Sequence, residues 1–391
     1  FIGPLLQNAI VMTWANLMTF KASKEGYTAN TLCYIGICMA LGYTISSWLA
    51  GRWITVKTAT PVFAAATVGS ALVGLPIVWL PPFLPYLGLG FLFGLINGHY
   101  FCPYQVGMGS VKPFRTLAWT IASYNVSWGL GVAIGPFLAG VLAGLPPGAD
   151  GLPPKLPFLI LAGGFAALHT FLVLLAQSAP RPDEPAATHR VEALVPSTPR
   201  LRKLGYICSF IGQFLLQSLA MSLWPPLAEA QHLTAYQKGL ALAVMGIQIP
   251  IGAVIFATQR QRLRRPWMLL SLLLLAAVAY PCLPLVTVWP WHLLVMGLIG
   301  FAGSGLFFHG VYYPNADPET PHRSVAVMET CVGIAGFTGP LIMGNLAGGR
   351  ETAWWPYAVG SVVILAAAAI ALKIWLNGED PATGPLPTTN A

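Results

Sequence analysis

Apolar segments of membrane-spanning length recur along almost the whole chain, and this feature most limits what the chain can fold into. A helix needs about 20 residues to cross the roughly 30 Å hydrocarbon core of a bilayer. The segments here are continuously apolar, whereas the strands of a transmembrane barrel alternate between polar and apolar residues over about 10 positions. Charged residues make up 8% of the chain, against about 25% in a soluble domain. The sequence therefore predicts an all-α, polytopic membrane protein.

Charged or Pro- and Gly-rich breaks divide these segments into twelve predicted transmembrane helices. The first six spans cover 1–20, 29–51, 56–80, 84–109, 117–144 and 156–179, and the second six cover 205–226, 239–258, 267–289, 291–314, 324–348 and 354–376. The stretch between the two sets is rich in proline, alanine and charge, which is typical of a solvated linker. We therefore predict an N-terminal six-helix bundle (1–179), a linker (180–204), a C-terminal six-helix bundle (205–377) and a tail (378–391).

The basic residues predict how the chain crosses the membrane. Most of the 20 Lys and Arg residues fall on the side of the linker and the termini, and positively charged loops stay in the cytoplasm. We predict that both termini and the linker are cytoplasmic and that the protein lies in a bacterial inner membrane. Because these charges mark topology, the net charge of +8 does not indicate nucleic acid as a partner. The chain begins at Phe1 inside an apolar segment without a signal-peptide cleavage site, so we interpret that segment as a first span and expect some native N-terminal residues to be missing.

Metal, cofactor and enzyme chemistry find little support in the sequence. The 6 cysteines lie in apolar stretches without a CxxC pair, and no histidine cluster has metal-ligand spacing. The chain has no phosphate-binding loop of the nucleotide-hydrolysing type, and its spans carry no nucleophile and base pair. We therefore expect no metal, no cofactor and no ATP-driven transport, and an enzyme is the least favoured class.

The fifth and eleventh predicted spans repeat one another. At a constant offset, Gly129 matches Gly333, Gly135-Pro136 matches Gly339-Pro340, Gly140 matches Gly344 and Gly144 matches Gly348. A weaker match joins the fourth and tenth spans, where His99 and His309 are each followed by tyrosine and proline. We infer that a unit of six spans has been duplicated.

In its twelve spans, central linker and internal repeat, the chain resembles the major facilitator superfamily. The resemblance implies two six-helix bundles related by an axis along the membrane normal, a solute site near the midplane and transport by alternating access. It also implies a protein that works as a monomer.

Two local motifs carry the same resemblance. Leu49-Ala50-Gly51-Arg52-Trp53 is similar to the family's loop signature Leu-Ala-Asp-Arg-Phe-Gly-Arg-Arg, which implies a gating role for Arg52. Gly51 replaces the acid of that signature and Ile54 its glycine. For the corresponding basic loop of the second half, 259–265, a positive-inside anchor is the alternative. The second motif, Gly135-Pro136 with its repeat Gly339-Pro340, is similar to the signature of antiporters and slightly favours export. Its alternative is close helix packing, since small residues let helix backbones approach one another.

Glu329 is the only one of the 12 acidic residues that falls inside a predicted span. An ionisable group at membrane depth costs several kcal/mol unless it is paired, hydrated or protonated, so it is a functional candidate. The preferred hypothesis is that Glu329 carries a proton during the transport cycle. A structural anchor at the cytoplasmic gate and a direct solute contact are the alternatives. Asn125 occupies the repeat-related position in the fifth span.

Uncharged polar residues supply the candidate solute contacts. In the family the first, fourth, seventh and tenth helices line the cavity, so the resemblance selects Asn8, Asn16, Asn97, Gln213, Gln217 and Tyr312. Hydrogen bonding between helices is the alternative for each of them. His99 and His309 are further candidates because imidazole titrates near neutral pH, with ordinary packing as the alternative, and His169 we interpret as structural.

The solute itself is predicted from what the spans lack. No Lys or Arg lies deep in a span, so a strongly anionic solute is disfavoured, and Trp128 with the aromatics of the tenth span suits a neutral or amphipathic one. The sequence thus predicts a secondary transporter of a small solute, coupled to protons through Glu329. The alternatives are a proton-coupled importer of sugar-like or nucleoside-like solutes and a non-transporting scaffold or assembly factor with the same fold.

Overall fold

The computed structural model describes residues 2–53, 56–78, 80, 83–108, 117–145, 163–164, 167, 170–171, 197–259, 265–317, 319–350 and 352–377. These residues form helices and turns, and no β-strand occurs among them. Most of the predicted sixth span, most of the linker and the whole tail lie outside the described residues, as does His169.

The N-terminal half contributes five described helices: α1 (Ile2–Lys24), α2 (Ala29–Trp53), α3 (Val56–Gly74), α4 (Leu84–Met108) and α5 (Leu117–Ala143). In the C-terminal half α6 (Pro199–Ser218) continues through a π-helical turn (Leu219–Leu223) into α7 (Trp224–Ala230). It is followed by α8 (Ala235–Thr258), α9 (Pro266–Cys282), α10 (Trp289–Asn315), α11 (Pro321–Ala347) and α12 (Trp355–Leu376). Since α6 and α7 together form the seventh predicted span, these helices account for all predicted spans except the sixth.

Within the described residues, 8 helical segments are long and apolar enough to cross a membrane: α2, α5, the continuous α6–α7, and α8 to α12. The helices α3 and α4 are not among them although both were predicted as spans, and neither is the first helix. Its mean hydropathy is lowered by Gln7, Asn8, Thr13 and Asn16, all of which are buried inside the protein. A helix that packs polar side chains inward on other helices does not need an apolar surface all round.

The seventh span begins earlier than its apolar residues indicate. Pro199 is the first residue of α6, and the hydroxyl of Thr198 accepts a hydrogen bond of 3.3 Å from the backbone N–H of Leu201. Thr at the N-cap followed by Pro at the first position is a strong helix start. Residues 199–204, predicted as linker, are therefore helical. The prediction was wrong there because their charges hid a helical turn that extends beyond the apolar segment.

A buried carboxylate ties the start of α6 to the loop between α10 and α11. Asp317 is 2% exposed. It accepts hydrogen bonds from Arg202 (3.0 Å), from the hydroxyl of Ser324 (2.6 Å) and from the backbone N–H of Glu319 (3.1 Å). Burial by itself would raise the pKa of Asp317, but the hydrogen bonds from Ser324, Glu319 and Thr320, together with Arg202, hold that pKa below its ordinary value.

Replacing Asp317 by asparagine is expected to lower the free energy of unfolding by about 2–4 kcal/mol, because it removes one partner of a buried ion pair. Since the folded pKa lies below the unfolded value of about 4, this contribution is present above that pH and is lost as the pH falls through the folded pKa. Denaturant unfolding of the purified protein at several pH values measures both effects. Glu319→Gln, in the same loop but with an exposed side chain, is the control. Equal stability of Asp317→Asn and Glu319→Gln would contradict the assignment.

Two interfaces join the halves, and the internal repeat makes them equivalent: α5 packs on α8, and α2 packs on α11. A Cβ added to Gly140 would lie 2.6 Å from the carbonyl oxygen of Ala235, the first residue of α8. At the repeat-related Gly344, a Cβ would lie 2.8 Å from the carbonyl oxygen of Ala29, the first residue of α2. We call the end of the protein that carries these contacts the far end, because it lies opposite the start of α6 at Pro199.

Each Gly-Pro motif takes part in two helix contacts, one within its own half and one with the other half. Gly135 packs on Met12 of α1, in its own half, and the carbonyl oxygen of Pro136 faces Gly239 of α8, in the other half. Gly339 and Pro340 have corresponding places: Gly339 packs on Phe214 of α6, and Pro340 faces Gly36 of α2. The structure thus places Pro136 and Pro340 where the halves are joined, and Gly135 and Gly339 at contacts within their own halves. The role of the motif in antiport remains a prediction.

Candidate functional site

A cavity lies between the two halves, lined by α1, α2, α4 and α5 on one side and by α6, α10 and α11 on the other. Its empty volume is about 820 Å³, which includes open space at its mouth. The polar residues of the lining are Asn8, Tyr43, Asn97, Tyr124, Asn125, Ser209, Gln213, Gln217 and Glu329.

Five predicted site residues from four helices come together in this cavity. They are Asn8, Asn97, Gln213, Gln217 and Glu329. Gln213 and Gln217 are four residues apart on α6, so they lie on one helical face. Asn97 is held from behind by Gln7, whose amide donates to Asn97 Oδ1 at 3.3 Å and to Ser70 Oγ at 2.7 Å. The structure therefore brings these side chains to one site, where their part in solute binding is a prediction.

Two predicted solute contacts lie elsewhere. Asn16 is buried, and its amide donates to the carbonyl oxygen of Met12 at 2.8 Å within α1. The ring of Tyr312 stacks on Phe308 at a centroid distance of 6.0 Å. Neither residue is part of the cavity lining. The resemblance selects the helices that line a cavity but does not fix how each helix is rotated, which is why these two residues were included.

The two histidines are also packed away from the cavity. His99 Nδ1 lies 2.9 Å from the carbonyl oxygen of Leu95, and His309 Nδ1 lies 2.7 Å from that of Gly305. In both cases the partner is four residues earlier on the same helix, so the two halves repeat this local geometry. The structure supports the repeat relation of these histidines but does not bring them to the site.

Arg52 lies at the end of α2, outside the cavity. Its guanidinium is 3.6 Å from the ring centre of Trp48, on the same helix, and both side chains are exposed. Among the described residues it forms no ion pair. An arginine stacked on an exposed tryptophan at a helix end is typical of the membrane interface, and the gating role of Arg52 stays a prediction.

Glu329 is the main electrostatic feature of the site. It is 4% exposed and is the only residue with an acidic or basic side chain among the described residues that line the cavity. The phenol O–H of Tyr43 donates a hydrogen bond to Glu329 Oε2. Because Tyr43 belongs to α2 and Glu329 to α11, this bond joins the two halves at the cavity wall.

Four polar lining residues were not predicted from the sequence as site residues: Tyr43, Tyr124, Asn125 and Ser209. Asn125 occupies the position related by the repeat to Glu329, and the structure places both in one cavity. That coincidence was the available signal. Tyr43 gave no signal, because its partner lies 286 residues further along the chain, and Ser209 is an ordinary small residue of a helix.

Several buried polar atoms of the lining have no hydrogen-bond partner within the described residues. They are Asn8 Nδ2, Asn125 Nδ2 and Ser209 Oγ, and each of these residues is 1% exposed. A buried donor without a partner costs about 1–3 kcal/mol. Their position at a cavity fits a site in which a ligand or water completes these hydrogen bonds.

An aromatic contact closes another part of the cavity wall. Trp128 of α5 meets Phe307 of α10 edge to face at a centroid distance of 4.9 Å. This contact also joins the two halves. Together with Met12, Met39 and Met328 it gives the cavity an apolar surface beside its polar one.

Secondary transporters place their solute sites between repeat-related helical halves, and this cavity of amides, a carboxyl group and aromatic rings has that position. The chain belongs to the Major Facilitator Superfamily, whose sequence model matches residues 5–313 and 204–390. The predicted family and all-α membrane fold are thereby confirmed. Membership also indicates a transporter of small solutes that works by alternating access, rather than an enzyme.

Solved structures show the same fold. A bacterial homologue of the human lysosomal transporter Spinster matches in an inward-facing, unoccupied conformation, with 16% identity and a TM-score of 0.71. Its inward-facing, occupied conformation matches with 14% identity and a TM-score of 0.70. Each match covers 97% of this chain and 98% of the other. A search of curated protein sequences finds no match.

Proposed function

We propose that this protein exchanges protons for a small neutral or amphipathic solute and thereby exports the solute. Family membership supplies secondary transport by alternating access. Proton coupling, direction and solute class are the proposal. The observation that carries it is the position of Glu329, a buried carboxyl group that lines the cavity and accepts a hydrogen bond from the opposite half.

A proton on Glu329 changes both its charge and its contact with the other half. As a carboxylate it accepts a charge-assisted hydrogen bond from Tyr43, and such bonds are roughly twice as strong as neutral ones. Protonation removes the charge and weakens this bond between α2 and α11. The equilibrium between two arrangements of the halves then depends on whether Glu329 is protonated, which is what coupling requires.

Binding of the solute is supported by the remaining lining. Amides from both halves offer donors and acceptors, and the Trp128–Phe307 contact offers an apolar surface. Export is supported by the resemblance of Gly135-Pro136 to the antiporter signature.

The test is solute-dependent proton movement in proteoliposomes, measured with an internal pH-sensitive dye across sugars, nucleosides, amino acids and hydrophobic drugs. We expect at least one class to move protons in the direction opposite to the solute. Movement of both in the same direction would replace exchange by import with protons. Solute flux without proton movement would overturn coupling, and no flux with any class would favour the non-transporting scaffold.

A further inference from the structure

A chain of three hydrogen-bonded side chains fixes the direction of one amide in the cavity wall. Gln7 of α1 and Ser70 of α3 are fully buried behind the lining, and Asn97 of α4 is part of it. The amide nitrogen of Gln7 donates to Ser70 Oγ at 2.7 Å and to Asn97 Oδ1 at 3.3 Å. Each of the three residues belongs to a different helix of the N-terminal half, so the packing of that half sets the arrangement.

The hydrogen bonds determine which end of each amide faces its partner. The hydroxyl of Ser70 donates its single hydrogen to the carbonyl oxygen of Ala66 at 3.0 Å, so towards Gln7 it can only accept. Gln7 therefore presents its nitrogen there, and the second hydrogen of that nitrogen requires the oxygen of Asn97. Reversing the Gln7 amide would leave two buried N–H donors without partners, whereas the observed orientation leaves one carbonyl oxygen, Gln7 Oε1. Buried donors without partners are rarer than buried carbonyl groups without them.

Asn97 consequently offers a donor to the cavity. Its oxygen is turned to Gln7, and its nitrogen forms no hydrogen bond within the described residues. The lining amides Gln213 and Gln217 differ, because no hydrogen bond from the described part of the chain holds either of them. An amide that can turn offers a solute either its donor or its acceptor, whereas the fixed amide of Asn97 offers only the donor.

We propose that the solute presents a hydrogen-bond acceptor, a carbonyl, ether or hydroxyl oxygen, to Asn97 Nδ2, and that Gln7 and Ser70 are positioning residues that impose this requirement. The inference rests on the proposed function in one respect, that the cavity is the solute site. A solute with only an N–H group at this place would face the N–H group of Asn97 and leave both donors unpaired. A site built to hydrogen-bond one kind of group rejects another in this way.

Gln7→Glu is predicted to invert this preference, although Gln7 is not part of the cavity lining. Glutamate has nearly the same shape, but an oxygen replaces the nitrogen that faces Asn97. The amide of Asn97 should then turn its nitrogen to the new carboxyl group and its oxygen to the cavity. A solute oxygen loses a hydrogen bond by this change and a solute N–H group gains one. We expect each affinity to change about 3- to 10-fold, the ratio given by one hydrogen bond of ordinary net strength.

The test measures equilibrium binding to the purified full chain in detergent. The probes are neutral bicyclic molecules of similar size: 1-indanone, which has a carbonyl acceptor and no donor, and indole, which has an N–H donor. The variants are Gln7→Glu, Gln7→Met, which removes the donors without supplying an acceptor, and Asn97→Leu, which removes the amide. Gln248→Glu is the matched control, because it makes the same change at a glutamine of α8 outside the lining. Thermal unfolding of each variant establishes that it is folded.

We expect Gln248→Glu to match the unchanged protein, Gln7→Met and Asn97→Leu to weaken only 1-indanone, and Gln7→Glu to weaken 1-indanone and strengthen indole. If Gln7 only packed its half, altering it would weaken both probes alike. That result, binding of neither probe, or unchanged binding of 1-indanone by Asn97→Leu would overturn the inference. Binding requires no transport, so binding of 1-indanone without proton exchange of any solute would count against the proposed function alone. Exchange only of solutes that lack an acceptor oxygen would count against this inference alone.

Discussion

Gly239→Ala should reduce solute flux by about fivefold or more, because it forces apart the two halves at the far end. A Cβ at this position would lie 2.3 Å from the carbonyl oxygen of Pro136 and 2.9 Å from Gly140 Cα, both backbone atoms of the opposite half. Overpacking of this kind costs about 1–3 kcal/mol. If this cost falls on only one of the conformations that alternate during transport, it shifts the equilibrium between them by about 5- to 150-fold.

The control is Gly88→Ala, since a Cβ there would have no atom within 4 Å. Separation of the far ends can be followed at Cys33, a fully buried residue of α2 packed against Gly344 of α11. In a variant that retains Cys33 as its only cysteine, Gly239→Ala should raise the labelling of Cys33 by a membrane-impermeant thiol reagent. Unchanged labelling together with unchanged flux would show that the contact does not hold the halves together.

Much of the fold could be predicted from the sequence, because the bilayer restricts the choices. Once apolar segments must cross it as helices, a polar linker and a repeat suffice to define two halves. The repeat was informative beyond topology: Gly140 and Gly344, matched in the sequence, make matched backbone contacts at the far end. The start of α6 was missed, because hydropathy does not register a charged turn that continues a helix.

Individual residues of the candidate site could be predicted only where the geometry of a single helix sets their position. Gln213 and Gln217 share a face through helical spacing alone, and Glu329 was conspicuous as an acid within a span. Asn16 and Tyr312 show the limit, since the rotation of a helix depends on neighbours that are distant in the sequence. The Tyr43–Glu329 bond depends on how two halves pack, so no local pattern indicated it.

A second large effect is expected for Glu329→Gln, which should abolish solute-dependent proton movement. Glutamine has nearly the same shape and can still accept the hydrogen bond from Tyr43 through its amide oxygen, but it cannot bind or release a proton. The carboxyl group should therefore be lost without loss of the packing between α2 and α11. Glu25→Gln, an exposed acid beyond the end of α1, is the matched control and should behave like the unchanged protein.

Coupling at Glu329 can be measured as solute-dependent proton movement in proteoliposomes that contain the unchanged protein, Glu25→Gln or Glu329→Gln. We predict equal movement with the first two and, with Glu329→Gln, no more than in liposomes without protein. Proton movement in Glu329→Gln that equals that of the unchanged protein would contradict coupling at this residue and leave Glu329 a structural link between the two halves.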